Sequence, residues 1–171
     1  MDELVQKAKK HDKEAFSQLM RSNCSDMYKV AKAILKNDDD AADAMQETLL
    51  ICWEKIDTLK NTKYFKTWLI KILINCCNAM YRQRKRYMAD EYVSEASSME
   101  SEYTNIEWKE FFKHLEEKYR TVIILYYIEG FKVKEIAQIL EISESTVKGR
   151  LVKAREKMER IYKADGRFKV I

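Results

Sequence analysis

Proline is absent from this chain of 171 residues, and glycine occurs only three times. Both residues interrupt helices and favour turns, so their scarcity predicts helices joined by short loops. Hydrophobic residues make up 46% of the chain, which is enough for buried cores, and charged residues make up 35%. This combination argues against a β-rich fold and predicts an all-α protein.

Three long helices are predicted in the first half of the chain. Apolar residues recur at helical spacing over 13–36. A second helix follows over 37–56, where the opening aspartates suit the positive end of a helix dipole. Residues 57–64 lack periodicity and are predicted to form a loop. A third helix begins at Phe65 and ends in the basic sequence YRQRKR.

Residues 88–105 differ in composition from the rest of the chain. They are rich in serine, and residues 91–105 carry four glutamates and no basic residue. Because such a segment buries little apolar surface, we predict a flexible linker between two small helical domains. Basic residues outnumber acidic ones on both sides of it, which suits a polyanionic partner contacted at two places.

Four shorter helices are predicted after the linker, over 106–115, 117–129, 133–140 and 144–161. Gly130 stands where a C′ glycine would end the second of them. The last two helices, in the sequence KEIAQILEISESTVKGRLVKAREKM, have the lengths and the tight turn of a helix-turn-helix.

Side chains at the turn support this motif. Ala137 is small where the two helices would cross, and Ile142 with Val147 would fill the wedge between them. Ser143 stands at the N-cap of the second helix. The alternative, a plain bundle helix with a solvated basic face, leaves this wedge and cap unexplained.

Gly149 lies on the opposite side of the second helix from the apolar stripe that contains Val147, Leu151 and Ala154. A glycine within a helix costs about 1 kcal/mol relative to alanine. One interpretation is a tolerated surface glycine, and the other is a position that lets a base edge approach closely. The surrounding basic residues favour nucleic acid, since a recognition helix contacts the major groove near its start.

The sequence contains no pattern typical of catalysis or metal binding. Its four cysteines form no C-x-x-C pair, so buried thiols are favoured over a metal or redox site. The histidines, His11 and His114, lie near no nucleophile pattern, so we expect neither enzyme activity nor a cofactor. The polar N-terminus lacks a signal peptide and the longest apolar run, VIILYYI, is too short to span a bilayer, so we expect a cytoplasmic protein.

The helix-turn-helix resembles both LuxR-type output domains and region four of bacterial sigma factors. The first half distinguishes them, because DAADAMQETLLICWEKI and FKTWLIKILINCCNAMYRQRKR resemble region two of an extracytoplasmic-function (ECF) sigma factor of the sigma-70 family. The matching residues are Asp43, Gln46, Glu47, Phe65, Trp68, Leu69, Ile72, Asn75 and Arg82. Region four is matched by EIAQIL and TVKGRLVKAR, so the resemblance covers nearly the whole chain.

The sequence departs from the family pattern at several positions. Glu141 occupies a turn position often held by glycine, where a positive φ costs about 1–2 kcal/mol. Lys132 replaces a serine-like helix cap, and Glu116 replaces a proline that commonly starts a helix. Ala42 and Ala79 replace acidic residues. We expect these changes to alter the local stability of the fold and the details of promoter recognition.

The resemblance implies a protein that gives core RNA polymerase its promoter specificity, as part of a stress response. Residues 1–87 would be region two, residues 88–105 the linker and residues 106–171 region four. The implied partners are core polymerase, through its β′ clamp helices and β flap, promoter DNA, and an anti-sigma factor, which in this family is often membrane-anchored.

The resemblance also assigns candidate binding residues. Those for the polymerase clamp are Asp43, Gln46, Glu47, Leu50 and Trp53, and Trp53 suits the core equally well. Those for the single-stranded −10 element are Leu59, Lys60, Asn61, Lys63, Asn75, Arg82, Arg84 and Arg86, with Leu59, Asn61 and Asn75 around a flipped base. Those for the duplex −35 element are Tyr126, Ser145, Thr146, Lys148, Gly149, Arg150, Val152 and Lys153. Trp68 is expected in the core.

A stand-alone helix-turn-helix regulator is the alternative function. Such a protein binds an operator without polymerase and needs a sensor or dimerisation domain. Residues 1–90 show no alternation of strands and helices, so a receiver domain is not expected.

Overall fold

The computed structural model describes residues 1–90 and 115–165, and every regular element within those ranges is helical. The all-α prediction is confirmed. The chain divides into two compact units, Met1–Ser97 and Ser98–Ile171. Most of the predicted linker, residues 91–105, and most of the helix predicted over 106–115 lie outside the described residues. In the described part of the chain, no helix is long and apolar enough to cross a membrane.

Over residues 1–90, the first unit has four α-helices: α1 (Asp2–Ala8), α2 (Lys13–Leu35), α3 (Asp38–Lys55) and α4 (Phe65–Asp90). Two short 3₁₀ turns, Ile56–Thr58 and Thr62–Tyr64, lie in the α3–α4 loop, residues 56–64. Helix α1 is not among the helices predicted from the sequence, because its seven residues are too few to show a clear apolar period. Helix α4 extends to Asp90 and so includes the first three residues of the predicted linker.

Polar caps set the starts of α2 and α3. The side chain of Asp12 accepts a hydrogen bond from the Ala15 N–H at 2.9 Å at the start of α2. The side chain of Asn37 accepts hydrogen bonds from the N–H groups of Asp39 and Asp40 at the start of α3. Three aspartates in the first turn of α3 also interact favourably with the helix dipole.

Helix α4 supplies much of the core of the first unit and contacts both α2 and α3. Its buried residues Leu69, Ile70, Leu73, Ile74 and Cys77 recur on one side of the helix. Burial of one such aliphatic side chain contributes about 1.5–3 kcal/mol. This packing fixes α3 and α4, whose outer faces carry most of the candidate site residues of the unit.

The second unit is built around α5 (Glu117–Ile123), which continues as a π-helical turn over Ile124–Ile128. Two further helices are α6 (Val133–Leu140) and α7 (Glu144–Asp165). Every residue over 119–125 is buried, so α5 forms the centre of the unit. Gly130 has a φ of +70° just after the π-helical turn, as predicted for a C′ glycine.

Candidate functional site

Four of the five candidate polymerase-binding residues lie on the outer side of α3. Asp43, Gln46, Glu47 and Leu50 are exposed and follow an i, i+3, i+4, i+7 spacing, so they share one side of the helix. These four residues are termed the α3 face. Leu50 is 63% exposed. The combination of acidic, amide and exposed aliphatic groups suits a mixed polar and apolar protein contact.

The fifth candidate, Trp53, has a packing role inside the first unit. Its ring makes edge-to-face contacts with His11 and Phe16, with centroid distances of 5.1 and 5.0 Å. The side chain is half-buried. Trp53 therefore joins α3 to the start of α2 and to the turn before it, and only part of its surface is left for a partner.

The α3–α4 loop exposes three of its four candidate −10 residues. Lys60, Asn61 and Lys63 are exposed, and Asn61 caps the second 3₁₀ turn by accepting a hydrogen bond from the Lys63 N–H at 3.0 Å. Leu59 is only 5% exposed. The place of Leu59 at a base pocket stays a prediction, and in the free protein its side chain is buried. Tyr64, which was not a candidate, is 54% exposed.

Helix α4 brings three other −10 candidates together. Asn75, Arg82 and Arg86 are exposed and stand seven and four residues apart, so they form one stripe along the helix. Arg82 Nε also donates a hydrogen bond to the Asn78 carbonyl at 3.2 Å. Trp68 lies seven residues before Asn75 and is half-buried, which places it at the edge of the core.

Arg84 lies apart from this α4 stripe. It is two residues from both Arg82 and Arg86, so it points to the opposite side of the helix. There its guanidinium Nη1 forms an ion pair with the carboxylate of Asp40, at the start of α3. Phosphate binding by Arg84 stays a prediction, and in the free protein its guanidinium is paired with Asp40.

The helix-turn-helix of the second unit has the predicted local contacts. Ser143 caps α7, since its hydroxyl accepts a hydrogen bond from the Thr146 N–H at 3.1 Å. Val147 is fully buried and Ala137 is 8% exposed, whereas Ile142 is half-buried between the helices. The crossing of α6 and α7 is thus packed by the residues that the sequence indicated.

The departures from the family pattern have visible structural counterparts. Glu141 has a φ of 55°, the left-handed conformation that a glycine would adopt more easily. The N–H of Lys132 donates to Glu135 Oε2 at 2.8 Å, so a glutamate one turn later supports the start of α6. Glu116 has a φ of −58°, which a proline would also adopt.

Most of the −35 candidates on α7 are open to a partner. The exposed ones are Ser145, Thr146, Lys148, Gly149, Val152 and Lys153, and Arg150 is half-buried. The Ser143 hydroxyl oxygen lies 2.8 Å from that of Ser145 and 2.7 Å from that of Thr146, which ties both to the helix start. Apart from its chain neighbours and the local helix backbone, no described atom lies within 4 Å of a Cβ placed on Gly149. Internal packing therefore gives no reason for a glycine there.

The remaining −35 candidate, Tyr126, is half-buried beside a residue that the prediction missed. The rings of Tyr126 and Tyr127 meet edge to face at 4.9 Å. Tyr127 is 55% exposed, and its hydroxyl accepts a hydrogen bond from Arg155 Nε at 2.6 Å. The guanidinium also lies 5.6 Å from the Tyr127 ring centre. Tyr127 lies in the apolar run VIILYYI, whose composition gives no sign of an exposed aromatic and basic pair.

Cys52 on α3 and Cys76 on α4 have thiols of low reactivity. Burial raises the pKa of the Cys52 thiol to about 12, and the neighbouring Cys76 adds to the shift. Burial also raises the pKa of Cys76, although a hydrogen bond with Thr48 opposes it. Both thiols are therefore protonated at neutral pH and poor nucleophiles.

An all-α chain whose helix-turn-helix presents an exposed basic second helix belongs to the class of DNA-binding transcription proteins. The family model for sigma-70 region 2 matches residues 19–87, and the model for sigma-70 region 4 matches residues 107–158. The chain belongs to the sigma-70 family, within the extracytoplasmic-function group.

Curated relatives agree with this assignment. RNA polymerase sigma factor SigV of Bacillus subtilis is 35% identical over 132 residues, which cover 75% of this chain and 80% of SigV. ECF RNA polymerase sigma factor SigW of the same organism is 28% identical over 175 residues and covers 91% of this chain and 93% of SigW.

Two solved structures have a similar fold. Sigma factor RpoE of Bartonella quintana, crystallised with the anti-sigma factor NepR, aligns with a TM-score of 0.76 and 26% identity. The alignment covers 88% of this chain and 98% of RpoE. CnrH, solved with the cytosolic domain of CnrY, aligns with a TM-score of 0.72 and 24% identity over 96% of this chain and 97% of CnrH.

Proposed function

We propose that this ECF sigma factor directs core RNA polymerase to its promoters through three surfaces, two in residues 1–87 and one in residues 106–171. The observation that carries the proposal is the presence of both sigma-70 regions in one chain, in that order. A stand-alone operator-binding regulator does not need a region for polymerase. The protein itself makes and breaks no covalent bond.

The α3 face is the proposed contact with the β′ clamp helices. Its acidic and amide groups offer hydrogen bonds, and the exposed Leu50 offers apolar area that polymerase would bury. The core packing of α4 against α3 holds the face in position. Trp53 supports the face from within the unit.

The α3–α4 loop and the α4 stripe are the proposed contacts with the melted −10 element. Lys60, Lys63, Arg82 and Arg86 supply positive charge for the phosphates, and the side chains of Asn61 and Asn75 offer hydrogen bonds to a base. Tyr64 adds an exposed ring on which a base can stack.

Helix α7 is the proposed contact with the −35 duplex. Lys148, Val152 and Lys153 are exposed, and the open space at Gly149 admits a groove edge or the DNA backbone. The Ser143 cap fixes the start of the helix, where recognition helices make their base contacts. Region four is also the proposed contact with the polymerase β flap.

An anti-sigma factor is the proposed regulator, and the proposed site of action is the cytoplasm. RpoE of Bartonella quintana, which has a similar fold, was crystallised with its anti-sigma factor NepR. An anti-sigma factor that covered the α3 face would exclude polymerase from it. We expect such a partner for this chain, with a membrane anchor as one form that it takes in the family.

Transcription in vitro with purified core polymerase, with and without the protein, tests the function. We expect initiation at defined promoters only when both are present. A promoter library with randomised −10 and −35 elements supplies the templates. Nanomolar binding of the free protein to a duplex operator, with no added effect of core polymerase, would instead establish an operator-binding regulator.

A further inference from the structure

A lysine outside the matched family regions contacts the α3–α4 loop. Lys9 Nζ donates a hydrogen bond to the backbone carbonyl of Leu59 at 2.5 Å, across 50 positions of sequence. The Lys9 side chain is half-buried. Hydrogen bonds from a charged donor are stronger than neutral ones, so this contact is well suited to hold a loop in place.

The backbone around Lys9 is itself fixed. Val5 and Ala8 are fully buried, which attaches α1 to the rest of the unit. The turn after α1 is closed by hydrogen bonds from the Lys10 N–H to the Lys7 carbonyl at 2.9 Å and from the His11 N–H to the Ala8 carbonyl at 2.8 Å. The ammonium group of Lys9 therefore emerges from a hydrogen-bonded turn.

The hydrogen-bond acceptor, Leu59, lies just before the exposed part of the α3–α4 loop. The Leu59 N–H donates to the Ile56 carbonyl at 3.3 Å, and the Leu59 side chain is buried, so Leu59 is anchored at three places. The next two residues, Lys60 and Asn61, are exposed. Leu59 is thus the last buried residue before the part of the loop that is offered to DNA.

We propose that Lys9 is a positioning residue for −10 recognition, which fixes the loop backbone at Leu59 and thereby sets where Lys60 and Asn61 meet the DNA strand. This inference rests on the proposed function of the loop. It adds a role for α1, which precedes the region 2 match at residues 19–87. Lys9 acts by holding the loop in place and needs no DNA contact of its own. A preorganised loop discriminates between −10 sequences better than a mobile one.

Three variants test this role. Lys9→Met keeps the length of the side chain but removes the charged donor, and Lys9→Arg restores a long cationic donor. Lys10→Met is the matched control, since Lys10 is adjacent, exposed and equally charged. The templates share one −35 element and carry either the preferred −10 sequence of the wild type or a single-base change from it. Each variant is assayed with core polymerase, and its thermal unfolding and salt dependence of promoter binding are measured.

We expect Lys9→Met to lower the preference for the best −10 sequence by about tenfold, the factor that corresponds to about 1.4 kcal/mol. Its polymerase affinity and the slope of promoter binding against salt should remain those of the wild type. Lys9→Arg should recover most of the preference, and Lys10→Met should lose none. A merely structural role would lower activity on all templates alike.

Three results would overturn the inference. One is an unchanged −10 preference in a folded Lys9→Met protein. Another is a fall in the salt slope of about 0.7 units, which would make Lys9 a direct phosphate contact to the single strand. The third is a Lys9→Arg protein that folds normally and discriminates no better than Lys9→Met. If the wild type supports no promoter-dependent transcription, the proposed function fails first and the inference fails with it.

Discussion

The guanidinium of Arg84 on α4 is paired with the carboxylate of Asp40 at the start of α3. The two residues are 44 positions apart, and the pair joins the basic end of α4 to the acidic start of α3. Arg84 is thereby held on the side of α4 opposite Arg82 and Arg86, and its charge is partly neutralised. The basic tail therefore has two sides, and we predict different roles for them.

The first prediction distinguishes the side of α4 that carries Arg84 from the side that carries Arg82 and Arg86. Arg86→Ala should lower the salt slope of binding to single-stranded −10 DNA by about 0.7 units, the contribution of one phosphate contact to a single strand. Arg84→Ala should leave that slope nearly unchanged, because its partner is Asp40. Binding of the polymerase complex to forked promoter DNA at several salt concentrations measures both slopes.

Asp40→Asn extends this test. The change removes the acidic partner of Arg84. If the freed arginine then reaches DNA, the dependence of DNA binding on salt should become steeper. Asp39→Asn is the control, since Asp39 is exposed in the same turn and the change in charge is the same. Equal losses for Arg84→Ala and Arg86→Ala would show that Arg84 leaves Asp40 in the complex. As an exposed pair, Arg84 and Asp40 should contribute at most about 1 kcal/mol to folding.

The second prediction concerns the α3 face. Leu50→Ala should weaken binding to core polymerase by about 1–2 kcal/mol, roughly tenfold, if polymerase buries the exposed side chain. Thermal unfolding of the free protein should change little, because Leu50 is 63% exposed there. Lys55→Ala, on another side of α3, is the control. Unchanged polymerase affinity for Leu50→Ala would remove this residue from the interface.

The combined change of Asp43→Ala and Gln46→Ala tests the polar part of the same face. Both side chains are exposed, so their removal should leave the fold intact while polymerase affinity falls. A folded double variant with normal affinity would show that the polymerase contact of α3 lies elsewhere.

The helices and the helix-turn-helix could be predicted because their signals are local. Ser143 caps α7 through a residue three positions away, and Val147 repeats with the apolar stripe of the same helix. Glu141 has the positive φ that its turn position indicated. Such features depend on a few neighbouring residues, which a single sequence contains in full.

The contacts that modify the candidate site could not be predicted in this way. Whether Arg84 faces DNA or Asp40, and whether Leu59 faces a pocket or the core, depends on packing between distant segments. The same holds for Lys9, which meets Leu59 only after α1 has packed against the unit. The helical period gives the side of each helix, but it does not identify the neighbour on that side.

The third prediction concerns acid sensitivity at Glu116, at the start of α5. Hydrogen bonds from Lys157, and then from Lys118, hold the pKa of its carboxyl below the ordinary value of 4.5. Because the pKa of Glu116 is lower in the folded protein, its ion pairs stabilise the fold at pH values above the ordinary pKa. This stabilisation is lost as the pH falls through the folded-state pKa. Glu116→Gln should therefore lower the melting temperature at pH 7, and its difference from the wild type should shrink below about pH 4.5.

Circular dichroism melts from pH 7 to pH 3 measure this difference. Glu156→Gln, an exposed change in the interior of α7, is the control and should show a smaller difference at pH 7. A gap between Glu116→Gln and the wild type that stayed constant from pH 7 to pH 3 would mean that the ion pairs do not contribute to stability.

The last prediction concerns Gly149, where no packing neighbour requires a glycine. Gly149→Ala and Gly149→Leu should both stabilise the free protein by about 1 kcal/mol, since alanine and leucine are better helix formers than glycine. In transcription assays the two should differ, because leucine fills the space that a groove edge needs whereas alanine adds one methyl group. Gly149→Leu should lose −35-dependent transcription, and Gly149→Ala should lose less of it. Thermal unfolding and transcription from templates with and without the −35 element measure the two effects separately. A Gly149→Leu protein that is more stable and equally active on −35-dependent templates would show that DNA does not approach α7 at this glycine.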